Sequence, residues 1–157
     1  MTNRNYKLQI KNIAWAIMLA IFFLIDRYLK YLAINNWVNN PKKILSNILT
    51  FSLTPNYNIA FSLPLSGIWL NILILFIIAA IIAHLLFNRK HLPSVEIIPF
   101  LGIIIGALSN FIDRLKYGYV VDYLDLKWFT VFNLADVLIS ISTIILIIYL
   151  FKTKKAS

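Results

Sequence analysis

The sequence predicts an all-α membrane protein: a four-helix transmembrane bundle with a small β-sheet or loop element at one membrane face. Three observations predict it. The chain is 61% hydrophobic with a mean hydropathy of +0.79, well beyond an ordinary soluble domain. Its apolar residues gather into four segments of about the ~20 residues that a helix needs to cross a bilayer. Its charges sit between those segments in short clusters. A length of 157 residues suits one polytopic domain, 1–157.

The spans are expected at about 13–33, 68–87, 95–115 and 131–151. Arg4, Lys7 and Lys11 precede the first and give it the look of a signal peptide, but no small-x-small cleavage site follows, so it reads as a retained span. The connection 88–94 is ordinary loop material. The segments 34–67 and 116–130 both fall at one face. In the first of them Leu49, Phe51 and Leu53 alternate with Thr50, Ser52 and Thr54, the pattern of a half-buried strand. Asn56-Tyr57-Asn58 reads as a turn, and Ile59, Phe61 and Leu63 alternate again. A hairpin or short sheet lying on the membrane follows, to which 119–132 adds another ribbon or a bent loop. Residues 41–49, with Ile44, Leu45, Ile48 and Leu49 at helical spacing, are alternatively a short interfacial helix.

A net charge of +9 could mark a nucleic-acid binder, but Lys and Arg flank apolar blocks and read as membrane-facing charge that meets anionic lipid. No nucleic acid partner is expected. The chain has no Cys, which excludes a disulfide framework, a thiol nucleophile and a thiolate metal site. With both termini cytoplasmic, Arg4, Lys7, Lys11, Arg89, Lys90, Lys152, Lys154 and Lys155 lie inside, against Lys42, Lys43, Lys116 and Lys127 outside. Arg27, Lys30 and Arg114 are set aside because they lie in or at the ends of spans beside Asp residues, and the remaining balance favours both ends inside. Whichever way the chain is oriented, Asp26, Asp113, Asp122, Asp125 and Asp136 share one face, and Glu96 is alone on the other. Ionisable residues at a span cost ~2.5–3.5 kcal/mol at the bilayer centre, so a cluster at one depth suggests a site.

Gly102, Gly106, Asn110 and Arg114 recur every four residues and line one helix face. Gly102-x-x-x-Gly106 would let a neighbouring helix approach closely, so a plain packing face explains this stripe equally well. Asn133, Asp136, Ser140 and Thr143 form a second stripe, for which a helix N-cap stabilised by the dipole is the simpler account. Asp26 and Lys30, four apart, read as an intrahelical ion pair. His84 and His91 lie toward the other face and lack any HExxH spacing, and Ser62 and Ser109 lack a G-x-S-x-G elbow, which argues against metal and serine hydrolases.

Carboxylate chemistry remains. Two adjacent Asp side chains cannot both ionise easily. One can activate water while the other, protonated, polarises a carbonyl and then supplies the leaving amine with a proton. That hydrolyses a peptide without metal or cofactor. Asp113, Asp122 and Asp136 are the candidates. Asp113 precedes Arg114, a ready counter-ion, whereas Asp122 sits in the apolar run Val120-Val121-Asp122-Tyr123. Asp122 with Asp136 is therefore the favoured pair. Two rival readings use the same residues: a proton-coupled transporter, which would spread its acids through the membrane depth, and a non-enzymatic partner packed through Gly102 and Gly106.

In order along the chain stand Asp26-Arg-Tyr-Leu-Lys30, Asn56-Tyr-Asn-Ile-Ala-Phe61-Ser, Gly106-Ala-Leu-Ser-Asn110-Phe-Ile-Asp113-Arg114, Val120-Val-Asp122-Tyr and Phe132-Asn133-Leu-Ala-Asp136. This set resembles lipoprotein signal peptidase (signal peptidase II), the bacterial inner-membrane aspartic peptidase. The resemblance implies removal of signal peptides from lipid-modified prolipoproteins, just before a diacylglyceryl-modified cysteine. It implies no cofactor, a monomer in the cytoplasmic membrane, cytoplasmic termini and a site at the outer, periplasmic face, which makes 34–67 and 116–130 extracytoplasmic. It implies Asp122 and Asp136 as the catalytic dyad. Asn56, Asn110, Arg114 and Asn133 match positions that support the dyad or hold substrate backbone, and Asp26, Lys30 and Asp113 match structural or supporting ones. The sequence departs from the family pattern at Asn58-Ile59, where Gly-Ala is common, at Ser109 for a usual Gly, at Arg27 for a usual Gln, and in a short connection between Asp122 and Asp136 that implies a trimmed loop over the site.

Overall fold

Apolar runs placed in lipid become helices because each backbone N–H and C=O must be satisfied within the segment. In the computed structural model, which describes residues 3–37, 40–45, 48–58, 67–88 and 92–156, this is the dominant structure. The helices are α1 (Asn3–Leu32), α2 (Gly67–Asn88), α3 (Ser94–Tyr117) and α4 (Leu134–Ala156). Gly67–Asn88, Ser94–Tyr117 and Leu134–Thr153 are each long and apolar enough to cross a membrane. α1 carries the apolar run 13–25 before Asp26 and continues into a π-helical turn, Ala33–Trp37. Trp69, Phe76 and Phe87 on α2 and Ile144, Ile148 and Phe151 on α4 face outward. Water would penalise such surfaces; acyl chains do not.

The tightest helix pair is α3 with α4, and the two glycines explain it. A Cβ on Gly106 would lie 2.7 Å from the Ala135 carbonyl oxygen and 2.7 Å from Ile139 Cγ1, and one on Gly102 would overlap the Ser142 hydroxyl. Glycine at both positions lets the helix backbones meet closely. α3 ends at Gly118, whose left-handed φ of 80° turns its N–H back to the Arg114 carbonyl at 3.0 Å. The chain then enters the sheet.

Four antiparallel strands stand in the order β1-β2-β3-β4: β1 (Lys42–Leu45), β2 (Leu49–Asn56), β3 (Val120–Leu126) and β4 (Val131–Phe132). The strand that the alternation predicts is present as β2, and its residues are mostly half-buried. The interfacial helix considered for 41–49 does not form: Lys42 and Lys43 pair with Phe51 and Thr50, because β2 offers an unpaired edge that a lone helical turn could not satisfy. The ribbon 119–132 is β3 and β4, so Val131 and Phe132, counted above in the fourth span, pair with Asp125 and Leu124 and α4 starts later. The second alternating run, Ile59 to Leu63, lies outside the described residues, as do Ser62 and His91. β2 finds its second partner in β3, with Thr54 opposite Asp122 and Asn56 opposite Val120. Ala33, Trp37, Val121 and Tyr123 form an apolar core where the sheet meets the helix ends, and Trp37 stacks on Phe51 with ring centroids 4.8 Å apart.

Candidate active site

A helix N-terminus leaves four backbone N–H groups without intrahelical partners. At α4 each finds one. Asn133 N–H donates to Asp136 Oδ2 (3.2 Å), Leu134 N–H to the Tyr123 hydroxyl (3.1 Å), Ala135 N–H to Asp26 Oδ1 (3.2 Å) and Asp136 N–H to Asn133 Oδ1 (2.9 Å). Two other elements, β3 and α1, thus join α4's own cap in holding its first turn, and that turn carries Asp136. The Asp136 carboxylate accepts from the Asn133 backbone N–H at 3.2 Å through Oδ2, and from Asn110 Nδ2 at 2.7 Å through Oδ1. The simple capping role considered for Asp136 is therefore present, but it uses only one oxygen.

Asp122 projects from β3 and is almost fully buried. Asn133 Nδ2 donates to its Oδ1 at 2.6 Å, and Asn56 Nδ2 to its Oδ2 at 2.9 Å. Asn56 is itself fixed by an Asx turn, its Oδ1 accepting from Asn58 N–H at 3.0 Å, which is the turn expected at 56–58. Asn133 binds both acids, one through its side chain and one through its backbone, and its Nδ2 also reaches Asn110 Oδ1 at 3.1 Å. Burial, reinforced by the neighbouring Asp136 charge, pushes the Asp122 carboxyl up to about 7, against the opposing pull of its Asn donors and Lys30. Asp122 and Asp136 line an open cleft of about 560 Å³ with Asn56, Asn58, Phe129, Phe132, Ile139 and Ser140.

Behind the cleft lies a buried charge network. Lys30 Nζ sits 3.1 Å from Asp26 Oδ2, 2.7 Å from Asp113 Oδ2 and 2.8 Å from Asn110 Oδ1. The i,i+4 pair read from the sequence is real, but it is one edge of a cross-helix cluster with Asp26, Lys30 and Asp113 all at 2% exposure or less. Charges this deep persist only when paired. The expected Asp113–Arg114 partnership is corrected: Asp113 pairs with Arg27 and Lys30, while Arg114 Nη2 donates to the Asn58 carbonyl at 2.9 Å. Adjacent residues on a helix point about 100° apart, so Asp113 turns into the bundle as Arg114 turns to the rim. Arg114 Nε is buried with no partner among the described residues.

The structure joins Asp122, Asp136, Asn56, Asn110 and Asn133 in one site, places Asp26, Lys30 and Asp113 behind it and Arg114 at its edge. Two of the departures noted in the sequence touch: Arg27 Nη1 donates to the Ser109 carbonyl at 3.1 Å, and Ser109 Oγ donates to Asp26 Oδ2 at 2.6 Å. Sequence reasoning missed these contacts and missed Tyr123, whose hydroxyl donates to Asp26 at 3.0 Å. The available signal was strand alternation, which sends Tyr123 to the face opposite Asp122 and toward the α1 and α4 ends. Asp125 pairs through its backbone with Thr50 and Val131, and nothing in the structure gives its side chain a role.

The fold is similar to that of a solved bacterial membrane enzyme, with a TM-score of 0.78 and 24% identity over 92% of this chain and 91% of that one. Lipoprotein signal peptidases are similar in sequence. That of Microcystis aeruginosa is 35% identical over 149 residues, 92% of this chain and 96% of the relative. That of Clostridioides difficile is 33% identical over 141 residues, 86% of this chain and 93% of the relative. The family model described as signal peptidase (SPase) II matches residues 18–152. With a match of that extent, on a bundle that carries two carboxylates in one cleft, the chain belongs to the signal peptidase II family.

Proposed function

We propose that this chain is a membrane aspartic endopeptidase that removes signal peptides from prolipoproteins, with Asp122 and Asp136 as its catalytic dyad. The observation that carries the assignment is Asn133, which hydrogen-bonds both carboxylates on the wall of a single cleft. Acids bound by one Asn on one cleft wall, and coupled through their charges, share one proton, and the pair titrates as a unit. The raised affinity of Asp122 for a proton keeps that shared proton available near neutral pH.

In the reaction, the ionised carboxylate takes a proton from water as the water oxygen attacks the scissile carbonyl. The protonated carboxyl donates a hydrogen bond to the carbonyl oxygen. When the tetrahedral intermediate collapses, the C–N bond breaks and the leaving amine receives a proton from the dyad, so no metal or covalent intermediate is needed. The scissile bond precedes the diacylglyceryl-modified cysteine of the precursor. The apolar cleft wall of Phe129, Phe132, Ile139 and Ile141 suits a substrate anchored by acyl chains. Asn56, Asn110 and Asn133 hold the acids, and Arg114 with the Asn58 carbonyl it binds fixes the rim for substrate backbone. The termini lie in the cytoplasm, the sheet and cleft at the outer face of the bacterial cytoplasmic membrane, and the chain acts as a monomer.

Asp122→Asn and Asp136→Asn in purified protein should each lower cleavage of a lipidated precursor by about 10³-fold or more, the upper range of general acid–base effects. Normal processing by either variant would refute the dyad.

A further inference from the structure

The covalent link between the two acids is a weak constraint. Asp122 lies on β3 and Asp136 in the first turn of α4, joined by a hairpin whose returning strand, Val131–Phe132, is two residues long. Something else must hold helix and strand in register to the fraction of an ångström that proton transfer requires. Asn133 does so from the α4 side. From the strand side the contact is Tyr123.

Tyr123 follows Asp122 directly and points the other way, fully buried beside Phe51 with ring centroids 6.2 Å apart. Its hydroxyl accepts from Leu134 N–H at 3.1 Å and donates to Asp26 Oδ1 at 3.0 Å. The same Asp26 oxygen accepts from Ala135 N–H at 3.2 Å. Two of the four N-terminal N–H groups of α4 therefore end on a Tyr123–Asp26 pair rooted in β3 and α1. We propose that the Tyr123 hydroxyl is a positioning group: it ties the α4 backbone to the strand that carries Asp122 and so sets the geometry of the dyad. This rests on Asp122 and Asp136 being that dyad. Burial, then the neighbouring Asp26 charge, push the phenol up, so it stays a donor through any working pH.

The hydroxyl can be separated from the ring. Tyr123→Phe fills the same volume and keeps the contact with Phe51 but leaves Leu134 N–H without an acceptor. Phe51→Leu does the reverse, loosening the ring contact and leaving the hydroxyl in place. With a diacylglyceryl-cysteine precursor peptide as substrate, Tyr123→Phe should lower kcat by roughly 10- to 100-fold, the scale of small misplacements, with KM little changed. It should also narrow the bell of the pH–rate profile, because looser carboxylates couple less and their two apparent pKa values draw together. The groups that bear on Asp122 in that titration are Asp136 from α4, Lys30 from α1, Arg114 from α3 and the donors Asn56 and Asn133. Phe51→Leu should lower Tm while kcat and bell width stay as in the unmodified protein. Wild-type kcat and bell width in Tyr123→Phe would overturn the proposal, as would Phe51→Leu reproducing both losses. Asp122→Asn runs in the same assay: if it is inactive while Tyr123→Phe is normal, only the positioning role fails, and if it is active, the dyad and the positioning role fall together.

Discussion

Asn133 and Asp136 cap each other: Asn133 Oδ1 accepts from Asp136 N–H at 2.9 Å, and Asp136 Oδ2 accepts from Asn133 N–H at 3.2 Å. These are the reciprocal bonds of a capping box, built here from Asn and Asp. The side-chain amide of Asn133 donates to Asp122 and to Asn110. A helix-start motif thereby becomes a clamp on two acids, and its two roles separate by mutation.

Asn133→Ser keeps a short acceptor for the helix cap but cannot reach Asp122. Thermal unfolding should change little, while cleavage should fall by about 100-fold, as for a misplaced catalytic group. Asn133→Ala should add a stability loss of about 1 kcal/mol, the usual worth of an N-cap. Unfolding midpoints and kcat measured side by side check this, and undiminished cleavage by the Ser variant would contradict it.

Lys30→Met removes the ammonium that lies within 3.1 Å of both Asp26 and Asp113. Asp113 then keeps Arg27, while Asp26 is left buried with no cationic partner among the described residues, and breaking such a pair typically costs about 3–5 kcal/mol. The variant should express poorly or unfold at markedly lower temperature in detergent. A Tm within a degree or two of the parent would show that the network is dispensable.

Gly106→Ala puts a methyl group 2.7 Å from the Ala135 carbonyl and forces α4 away at the residue next to Asp136. Overpacking should cost about 1–3 kcal/mol and lower activity as well. Gly118→Ala has open space around it and only the strain of a φ of 80° to bear, so its effect should be confined to stability. Equal activity losses in the two variants would contradict the α3–α4 argument.

The raised proton affinity of Asp122 also has a stability consequence. Folding pushes its carboxyl up to about 7 from the ordinary 3.8 of a solvated aspartate. Between these values the folded state binds the extra proton, so this group's contribution is fully present below about pH 4 and is lost as pH rises through about 7. Asp122→Asn should flatten that slope and raise the unfolding midpoint at pH 8 more than at pH 4. Thermal unfolding of both proteins across that range reads the difference, and parallel curves would count against it.

How much was legible varies with how local the cause is. Gly102 and Gly106 announced a close helix contact because four-residue spacing places them on one face whatever the partner is. β2 was legible because alternation along a strand needs no knowledge of its neighbours. β1 was not, since its apolar residues fit a helical spacing equally well and only the edge of β2 decided between them. Asp113 looked like the partner of Arg114 because they are adjacent, whereas its actual partners Arg27 and Lys30 come from another helix, more than 80 positions away.

The amino-acid sequence alone determined the membrane class, the helical bundle and the gathering of acids at one face, since run length and charge order along a chain are local quantities that lipid reads directly. It also singled out Asp122 and Asp136, the first by its apolar setting and the second by its place at a helix start. Tertiary structure alone decided which group neutralises which charge, how the first turn of α4 is capped by Tyr123 and Asp26 from elsewhere in the chain, and that Asn133 joins both acids. The reason is physical: hydrogen bonds and buried ion pairs form between side chains brought together by packing, and their partners are specified by direction and distance in space, which spacing along the chain does not encode.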